Sequence, residues 1–291
     1  MQLDFTKMQS LGNDFVVLDG VSRSLPIHAD LARYIADRHF GVGCDQVLVA
    51  EAGQSADFRF RIFNRDGSEV EQCGNGARCF ARFLRDQELT NQDRITVETM
   101  NSRMSLFLKQ NGEVQVELGP PVFDPGQIPF IADAIARRYI IAVNDEQMEI
   151  AALSMGKPHA VLFVDDVGSA QVEVLGPLLE SHSRFPAKAN VGFCQVESAD
   201  HIRLRVYERG VGETLGCGSG ACAAVVAGIQ LGLLEPDVRV SLPGGDARVN
   251  WRGAGTPVYL SGPATHVYKG VLDLPDRLQK PIENTQSITE N

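Results

Sequence analysis

Phe63-Asn-Arg-Asp-Gly-Ser-Glu-Val-Glu-Gln-Cys73-Gly-Asn-Gly-Ala77 and Tyr207-Glu-Arg-Gly-Val-Gly-Glu-Thr-Leu-Gly-Cys217-Gly-Ser-Gly-Ala221 are two copies of one stretch, 144 residues apart in a chain of 291. Aligned without gaps they share Arg65/Arg209, Glu69/Glu213, Cys73/Cys217, Gly74/Gly218, Gly76/Gly220 and Ala77/Ala221. The same offset lays Ser10-Leu-Gly on Ser154-Met-Gly, Gln46-Val on Asn190-Val, and Leu31, Tyr34, Ile35 on Leu175, Leu178, Leu179. One offset that holds across most of each half is the mark of an internal duplication. Two halves with one matched thiol each point to two acid/base groups facing one substrate.

Outward from the repeat, alternation marks strands. Phe58, Phe60 and Ile62 alternate with Arg59 and Arg61, and Ile202, Leu204 and Val206 alternate with Arg203 and Arg205. Each of these strands ends just before its cysteine motif. Further strands are expected at Asp14–Asp19, Val47–Ala50, Ile95–Thr99, Met104–Lys109, Val114–Leu118, Ala160–Val164, Val191–Val196 and Val258–Leu260. After each cysteine the pattern turns helical. Ala77, Phe80, Ala81 and Leu84 share one face, while 220–231 is apolar nearly all round, as a fully buried helix requires. Surface helices are expected near Ile27–Arg38 and Gln171–His182. The expected class is α+β, in two pseudo-symmetric domains, each a mixed, barrel-like β-sheet wrapped around a central helix. Gly119-Pro-Pro-Val-Phe-Asp-Pro-Gly is the linker candidate. The polar tail 275–291 reads as a loosely packed extension.

Composition bounds the function. With 44% hydrophobic and 22% charged residues the chain reads as a soluble globular protein. A formal charge of −10 argues against nucleic acid and anionic membranes as partners. No apolar run approaches a membrane span, and the opening Met1-Gln-Leu-Asp-Phe-Thr-Lys lacks the pattern of a signal peptide, so the cytoplasm is the expected location. Cys44, Cys73, Cys79, Cys194, Cys217 and Cys222 include no CxxC pair and no histidine at zinc-finger spacing. No metal and no disulfide are expected. Cys44, Cys79, Cys194 and Cys222 lack a matched cysteine and read as small buried apolar groups.

A cysteine before Gly-x-Gly at a helix start has a physical consequence. The first N–H groups of the helix have no intrahelical acceptor and point into the space beside the sulfur. They stabilise negative charge, so the thiol is expected to be acidified below its ordinary value, and they can hold a carboxylate. Two such helix ends converging would bind an α-carboxylate with a sulfur on either face of its α-carbon. One sulfur, as thiolate, would remove the α-proton, and the other, as thiol, would return one to the opposite face. No cofactor is expected, because enough oriented donors can carry the enediolate charge: one such donor is worth ~3 kcal/mol. Polar groups stand at matched positions: Asn13 with Lys157, Gln46 with Asn190, Asn64 with Glu208. His159 matches Phe15 and breaks the symmetry.

These residues resemble a known family. LGNDFVVLDG at 11–20, FNRDGSEVEQCGNGARC at 63–79, MGKPH at 155–159 and YERGVGETLGCGSGACA at 207–223 are similar to diaminopimelate epimerases, and the resemblance covers roughly 3–274. It implies a cleft between two like domains, 1–118 plus 263–291 and 119–262, with the chain returning to the first after the second. It implies interconversion of LL- and meso-2,6-diaminopimelate without cofactor or metal, for lysine and peptidoglycan precursors. By position, Cys73 and Cys217 would be the acid/base pair, with His159 and Glu208 tuning them. Asn13, Gln46, Asn64, Asn190, Glu208 and Arg209 would meet the substrate through side chains. Gly74, Asn75, Gly218 and Ser219 would do so mainly through backbone amides. A homodimer with Tyr268 at its contact is implied as well. Where the family commonly reads Gly-Asn-Pro-His this chain has Lys157, which would pair with the distal carboxylate of the substrate.

Two other readings are weaker. A racemase for proline or hydroxyproline has little use for Arg209 and a second polar substrate end. An anion-binding or redox-sensing protein would need one helix start and no matched cysteine. A nucleotide-binding domain is weaker still, because neither motif has a P-loop lysine or Gly-x-Gly-x-x-Gly spacing.

Overall fold

The computed structural model describes residues 1–71, 73–144 and 146–279. The first half runs β1 (Gln2–Ser10), β2 (Asn13–Asp19), α1 (Ala29–Ala36), β3 (Gln46–Ala52), β4 (Phe58–Asn64), β5 (Glu69–Val70), α2 (Gly74–Asp86), β6 (Arg94–Glu98), β7 (Arg103–Leu108) and β8 (Val114–Leu118). The second runs β9 (Tyr139–Val143), β10 (Glu146–Ser154), β11 (Pro158–Phe163), α3 (Val172–Glu180), β12 (Asn190–Ser198), β13 (His201–Glu208), β14 (Gly212–Thr214), α4 (Gly218–Gln230), β15 (Asp237–Leu242), β16 (Gly245–Asn250) and β17 (Val258–Gly262). Then β18 (Thr265–Asp273) returns antiparallel to β1, pairing Asp273 with Gln2 and Tyr268 with Lys7. The class is α+β, dominated by strands in a mixed sheet.

The offset of 144 is visible in the strand register. Phe15 pairs with Gln46 across parallel β2–β3, and His159 pairs with Asn190 across parallel β11–β12. Val47 faces Phe63, and Val191 faces Tyr207. Even the ion pair beside each motif is repeated. Arg61 grips Glu69 with Nε and Nη2 at 2.9 and 2.8 Å, and Arg205 grips Glu213 at 2.6 and 2.8 Å. Such bidentate pairs hold a direction as well as a distance. They clamp the short β4–β5 and β13–β14 hairpins that lead the chain to the two cysteines.

Each central helix is enclosed by its own half. Helix α2 touches β1, β2, β3, β7 and β8, and α4 touches β10, β11, β12, β13, β16 and β17. Both helices share one apolar core, which contains Phe80 and Leu84 of α2 together with Ala224 and Val225 of α4. Burial of α4 is unbroken from Gly220 to Gly228, which fits its apolar circumference. Strands β8 and β17 pair Leu118 with Val258 and so carry the hydrogen-bonded sheet from one half to the other. Smaller clusters lie outside the central one, around Leu31 and Ile35 of α1 and around Val172 and Leu179 of α3.

The tail differs from its expectation. Residues 275–279 are packed: Asp276–Leu278 form a 3-10 turn, and Leu278 and Leu274 are buried against the cluster around α1. The two leucines are four residues apart and fall on the same side, a spacing that the surrounding polar residues mask. The remainder of the expected loose tail, 280–291, lies outside the described residues. Leu278→Ala should lower the unfolding free energy by about 2 kcal/mol, the low end for a buried leucine near a chain end. Urea denaturation measures this, and a change below ~0.5 kcal/mol, the size of a surface substitution, would return the segment to the surface.

Candidate active site

Both cysteines are helix N-caps with extended backbone, Cys73 at φ −146°, ψ 108° and Cys217 at φ −112°, ψ 107°. Each sulfur accepts from the third residue onward: Gly76 N–H to Cys73 Sγ at 3.3 Å, Gly220 N–H to Cys217 Sγ at 3.4 Å. The first intrahelical bonds go to the Cys73 and Cys217 carbonyls from Ala77 and Ala221. The N–H groups of Gly74 and Asn75, and of Gly218 and Ser219, therefore precede the helical ladder and remain available to an anion.

The two helix starts abut. Asn75 is buried, and its Nδ2 donates across the seam to the Gly216 carbonyl at 2.8 Å, one residue before Cys217. A Cβ on Gly218 would stand 2.8 Å from Leu260 Cδ2 and 3.2 Å from Asn75 Oδ1, so only glycine lets the helices meet this closely. The β1–β2 turn, Leu11-Gly12 with φ of 55° and 81°, is driven into the opposite half. Its Leu11 carbonyl would lie 2.7 Å from a Cβ at Gly216.

Around this seam stand the polar side chains from the strand ends. Gln46 donates through Nε2 to Asn64 Oδ1 at 2.9 Å, and its buried Oε1 has no partner among the described residues. Asn13 Nδ2 donates to Asp45 Oδ2 at 2.9 Å, which turns Asn13 Oδ1 toward the Cys73 thiol, 3.9 Å away. Asp45 is held in turn by Arg38 at 2.9 Å, and Arg38 also binds Asp14 at 2.7 Å. Burial opposes charge on Asp14, yet hydrogen bonds from Arg38 and Lys7 hold it at about 2. In the second half, buried Asn190 accepts from the Arg209 N–H at 2.8 Å and lies 3.4 Å from His159 Nε2. Glu208 Oε1 accepts from Thr214 Oγ1 at 2.6 Å. Arg209 donates Nη1 to the Ala187 carbonyl at 2.9 Å, and Glu180 takes the Gly210 N–H at 2.8 Å. Ser219 Oγ lies 3.6 Å from Cys217 Sγ.

Lys157 sits on the surface at the end of the β10–β11 turn, with no ion pair among the described residues, and its charge is felt at both Cys73 and His159. Tyr268 stands apart from this group. It is exposed on β18, edge-on to Phe5 with ring centroids 5.9 Å apart.

The electrostatics correct one expectation. Burial pushes the Cys73 thiol up, against a Gly76 N–H and the charges of Lys157 and Arg78. Burial and then the Glu208 carboxylate push Cys217 up further. Helix starts alone do not acidify these sulfurs, because losing water costs the thiolate more than the helix-end donors return. His159 is buried as well. Burial, then the charges of Lys157 and Arg209, depress it to about 3, so its ring is neutral. The other four cysteines are free and buried, with Cys44, Cys194 and Cys222 pushed up to about 12 by burial.

Asp45 and Thr214 bond the candidate residues Asn13 and Glu208, Glu180 bonds the backbone of Gly210 beside Arg209, and none of the three is a sequence candidate. Their counterparts under the offset are Ala189, Val70 and Ala36, so the repeat carries no signal for them.

Several known proteins resemble this chain in sequence or in fold. The family model described as "Diaminopimelate epimerase" matches residues 5–123 and 151–267. A protein of Nitrosomonas europaea named "Diaminopimelate epimerase" is 54% identical over 275 residues, covering 94% of this chain and all of that one. Its namesake in Nitrosospira multiformis is 52% identical, over 94% of this chain and 99% of its own. Solved structures share the fold at lower identity. A Bacillus anthracis phenazine biosynthesis protein of the PhzF family has a TM-score of 0.70 at 14% identity, over 94% of this chain and 100% of that one. A hydroxyproline epimerase from Agrobacterium vitis has a TM-score of 0.68 at 15%, over 96% and 94%. By the family model and by near full-length identity above one half, the chain belongs to the diaminopimelate epimerase family.

Proposed function

We propose that this protein interconverts LL- and meso-2,6-diaminopimelate by a two-base, cofactor-independent route, supplying lysine and peptidoglycan precursors. The observation that carries the reading is the pair of N-capping cysteines on abutting helix starts, in a chain of this family. The substrate α-carboxylate takes the free N–H groups of Gly74, Asn75, Gly218 and Ser219. One sulfur, as thiolate, takes the α-proton. The C–H electron pair passes into the carboxylate as an enediolate, which the same donors hold. The other sulfur, as thiol, then delivers its proton to the opposite face of the carbon, and the two sulfurs have exchanged roles. Each oriented donor lost in comparable sites costs ~10²–10³ in rate.

Burial favours the neutral form of both thiols. The substrate ammonium group adds positive charge beside a partly buried sulfur, which favours its thiolate. Neutral His159 and the Glu208 carboxylate are the groups suited to move a proton onto or off a sulfur. Gln46 Oε1, a buried acceptor with no partner among the described residues, suits an ammonium donor. Asn13, Asn64, Asn190, Arg209 and Lys157 complete the set, with Lys157 answering the distal carboxylate. The proposed division is 1–118 plus 263–291 against 119–262. A cytoplasmic homodimer is part of the same reading, supported by the exposed Val267, Tyr268 and Val271 on β18.

Cys73→Ala and Cys217→Ala should each abolish epimerisation with the fold intact. General acid/base loss alone is worth ~10²–10⁴-fold, and each variant removes the proton carrier of a whole face. Deuterium uptake from heavy water at the α-carbon of LL-diaminopimelate, with circular dichroism for the fold, reads this. Near-normal uptake and turnover by either folded variant would sink the two-base route.

Lys157→Ala should raise KM for diaminopimelate roughly tenfold, with less effect on kcat, because the distal contact is alike in ground and transition states. A charge-assisted bond is worth ~1.5–3 kcal/mol, and the exposure of Lys157 favours the low end. Lys157→Asn should restore most of the loss. An unchanged KM in Lys157→Ala would place the ammonium in solvent.

Stability should depend on pH through His159. Its folded value, about 3, lies below the unfolded 6.5, so the unfolded chain binds this proton first as pH falls. Stability from this group is full above pH 6.5 and is lost on descending toward 3, at about 1.4 kcal/mol per pH unit for one proton. Urea midpoints between pH 7 and 4.5 should show this slope, and His159→Gln should remove it. Equal slopes in the two proteins would mean that the ring is solvated.

A further inference from the structure

One buried group next to the seam has no part in the reaction as derived. Arg78, one turn into α2, is fully buried. Its donors go to Ser10 Oγ at 3.1 and 2.7 Å and to Asn75 Oδ1 at 2.7 Å; among the described residues Nη1 has no partner and no carboxylate pairs with the guanidinium. A buried charge without a counter-ion is costly, and it stands in the first turns of a helix, where the backbone dipole also disfavours it. Packing gives no reason to prefer it to leucine or methionine. Backbone has even been cleared for it: a Cβ on Gly262 would lie 3.3 Å from its Nε.

What the guanidinium does is fix an amide. With Oδ1 of Asn75 taken by Arg78, Nδ2 must face the other way. There it meets the Gly216 carbonyl at 2.8 Å and Asn13 Oδ1 at 3.5 Å. Asn13 is oriented from its far side by Asp45. A line of hydrogen bonds thus runs Asp45–Asn13–Asn75–Arg78, anchored by an anion at one end and a cation at the other. Cys73 Sγ lies beside its middle, and the Cys217 segment is tied to it through Gly216. The second copy lacks this device. Under the offset Asn75 becomes Ser219 and Arg78 becomes Cys222, so the two members of an i, i+3 pair change together. Ser219 stays with its own cysteine and does not cross the seam.

We propose that Arg78 is a positioning residue for the epimerisation: it sets the orientation of the Asn75 amide and thereby fixes the Cys73 helix start against the Cys217 helix start. This rests on the reaction proposed above. Loss of the clamp lets the two starts drift while each still binds its share of the substrate. Misplacement of this kind, about 1 Å, costs roughly 10²-fold in rate.

The test is a cycle of Arg78→Met, Asn75→Ala and the double variant, with Arg78→Lys beside them and thermal melting and circular dichroism for the fold. Arg78→Met should lower kcat by roughly 10–100-fold with KM within about threefold, since alignment matters most in the transition state. The double variant should be no slower than the worse single one, because both remove the same tie. Arg78→Lys keeps the charge without the planar fork, and should recover less than about a tenth of the lost kcat. Additive losses, a wild-type kcat in Arg78→Met, or full recovery by lysine would each overturn the proposal. So would failure of both Arg78 variants to fold, which would make the residue part of the core. A second readout does not need the reaction. The side-chain NH₂ of Asn75 should exchange slowly by NMR in the native protein and lose that protection in Arg78→Met or Arg78→Lys. Unchanged protection overturns the inference even if native protein shows no deuterium uptake, an outcome that would fell the reaction itself.

Discussion

The hydrogen bond from Asn75 Nδ2 to the Gly216 carbonyl, 2.8 Å long and buried, is where the two halves become one site. Left unmade, each of its partners would be stranded away from water at a cost of ~1–3 kcal/mol. Its formation requires that α2 and α4 meet by their first residues, which in turn requires glycine at 218 and a bare backbone facing the Leu11 turn. The strands on either side obey the same demand. Strands β4 and β13 end at Asn64 and Glu208, and their clamped hairpins deliver both cysteines to the seam. The barrel-like sheets are, in this sense, a means of aiming two helix ends at one point.

Magnitude decides the electrostatics of that point. A helix start gives an anion about 0.3–2 kcal/mol, whereas stripping water from an ion costs several. Burial therefore prevails, and the sulfurs and His159 all favour their neutral forms.

The sequence reading reached most of what repeats and little of what does not. Both central helices, the alternating strands before them and the matched polar positions follow from the offset and from simple periodicity. Strand β1 escapes because its alternation stops after Phe5, with Thr6, Lys7 and Met8 buried in succession. Strand β18 escapes for the opposite reason: it is exposed along most of its length and has no core face to reveal. The β15–β16 hairpin is legible in principle, with Val238, Val240 and Leu242 answered by Ala247 and Val249 across Pro243-Gly-Gly, though it is absent from the expectations above. Supporting residues such as Asp45, Thr214 and Arg78 are the hardest to find. Each acts through another side chain, so its role exists only in three dimensions. The thiol acidity failed for a related reason: a motif reports the donors beside a sulfur but not the depth of its burial.

The repeated Arg61–Glu69 and Arg205–Glu213 pairs bear on how such a molecule arises. Scaffold positions have kept their identity over the whole separation of the copies, while positions 75, 78, 219 and 222 have diverged. Two identical subunits meeting about a two-fold axis are bound to present the same groups to each side of a ligand. A fused gene is not. Once both copies are carried on one polypeptide, a mutation in one is no longer imposed on the other, and a symmetric pocket can become handed. For a catalyst whose ligand is itself a carbon with unlike substituents, that freedom is what tandem duplication supplies.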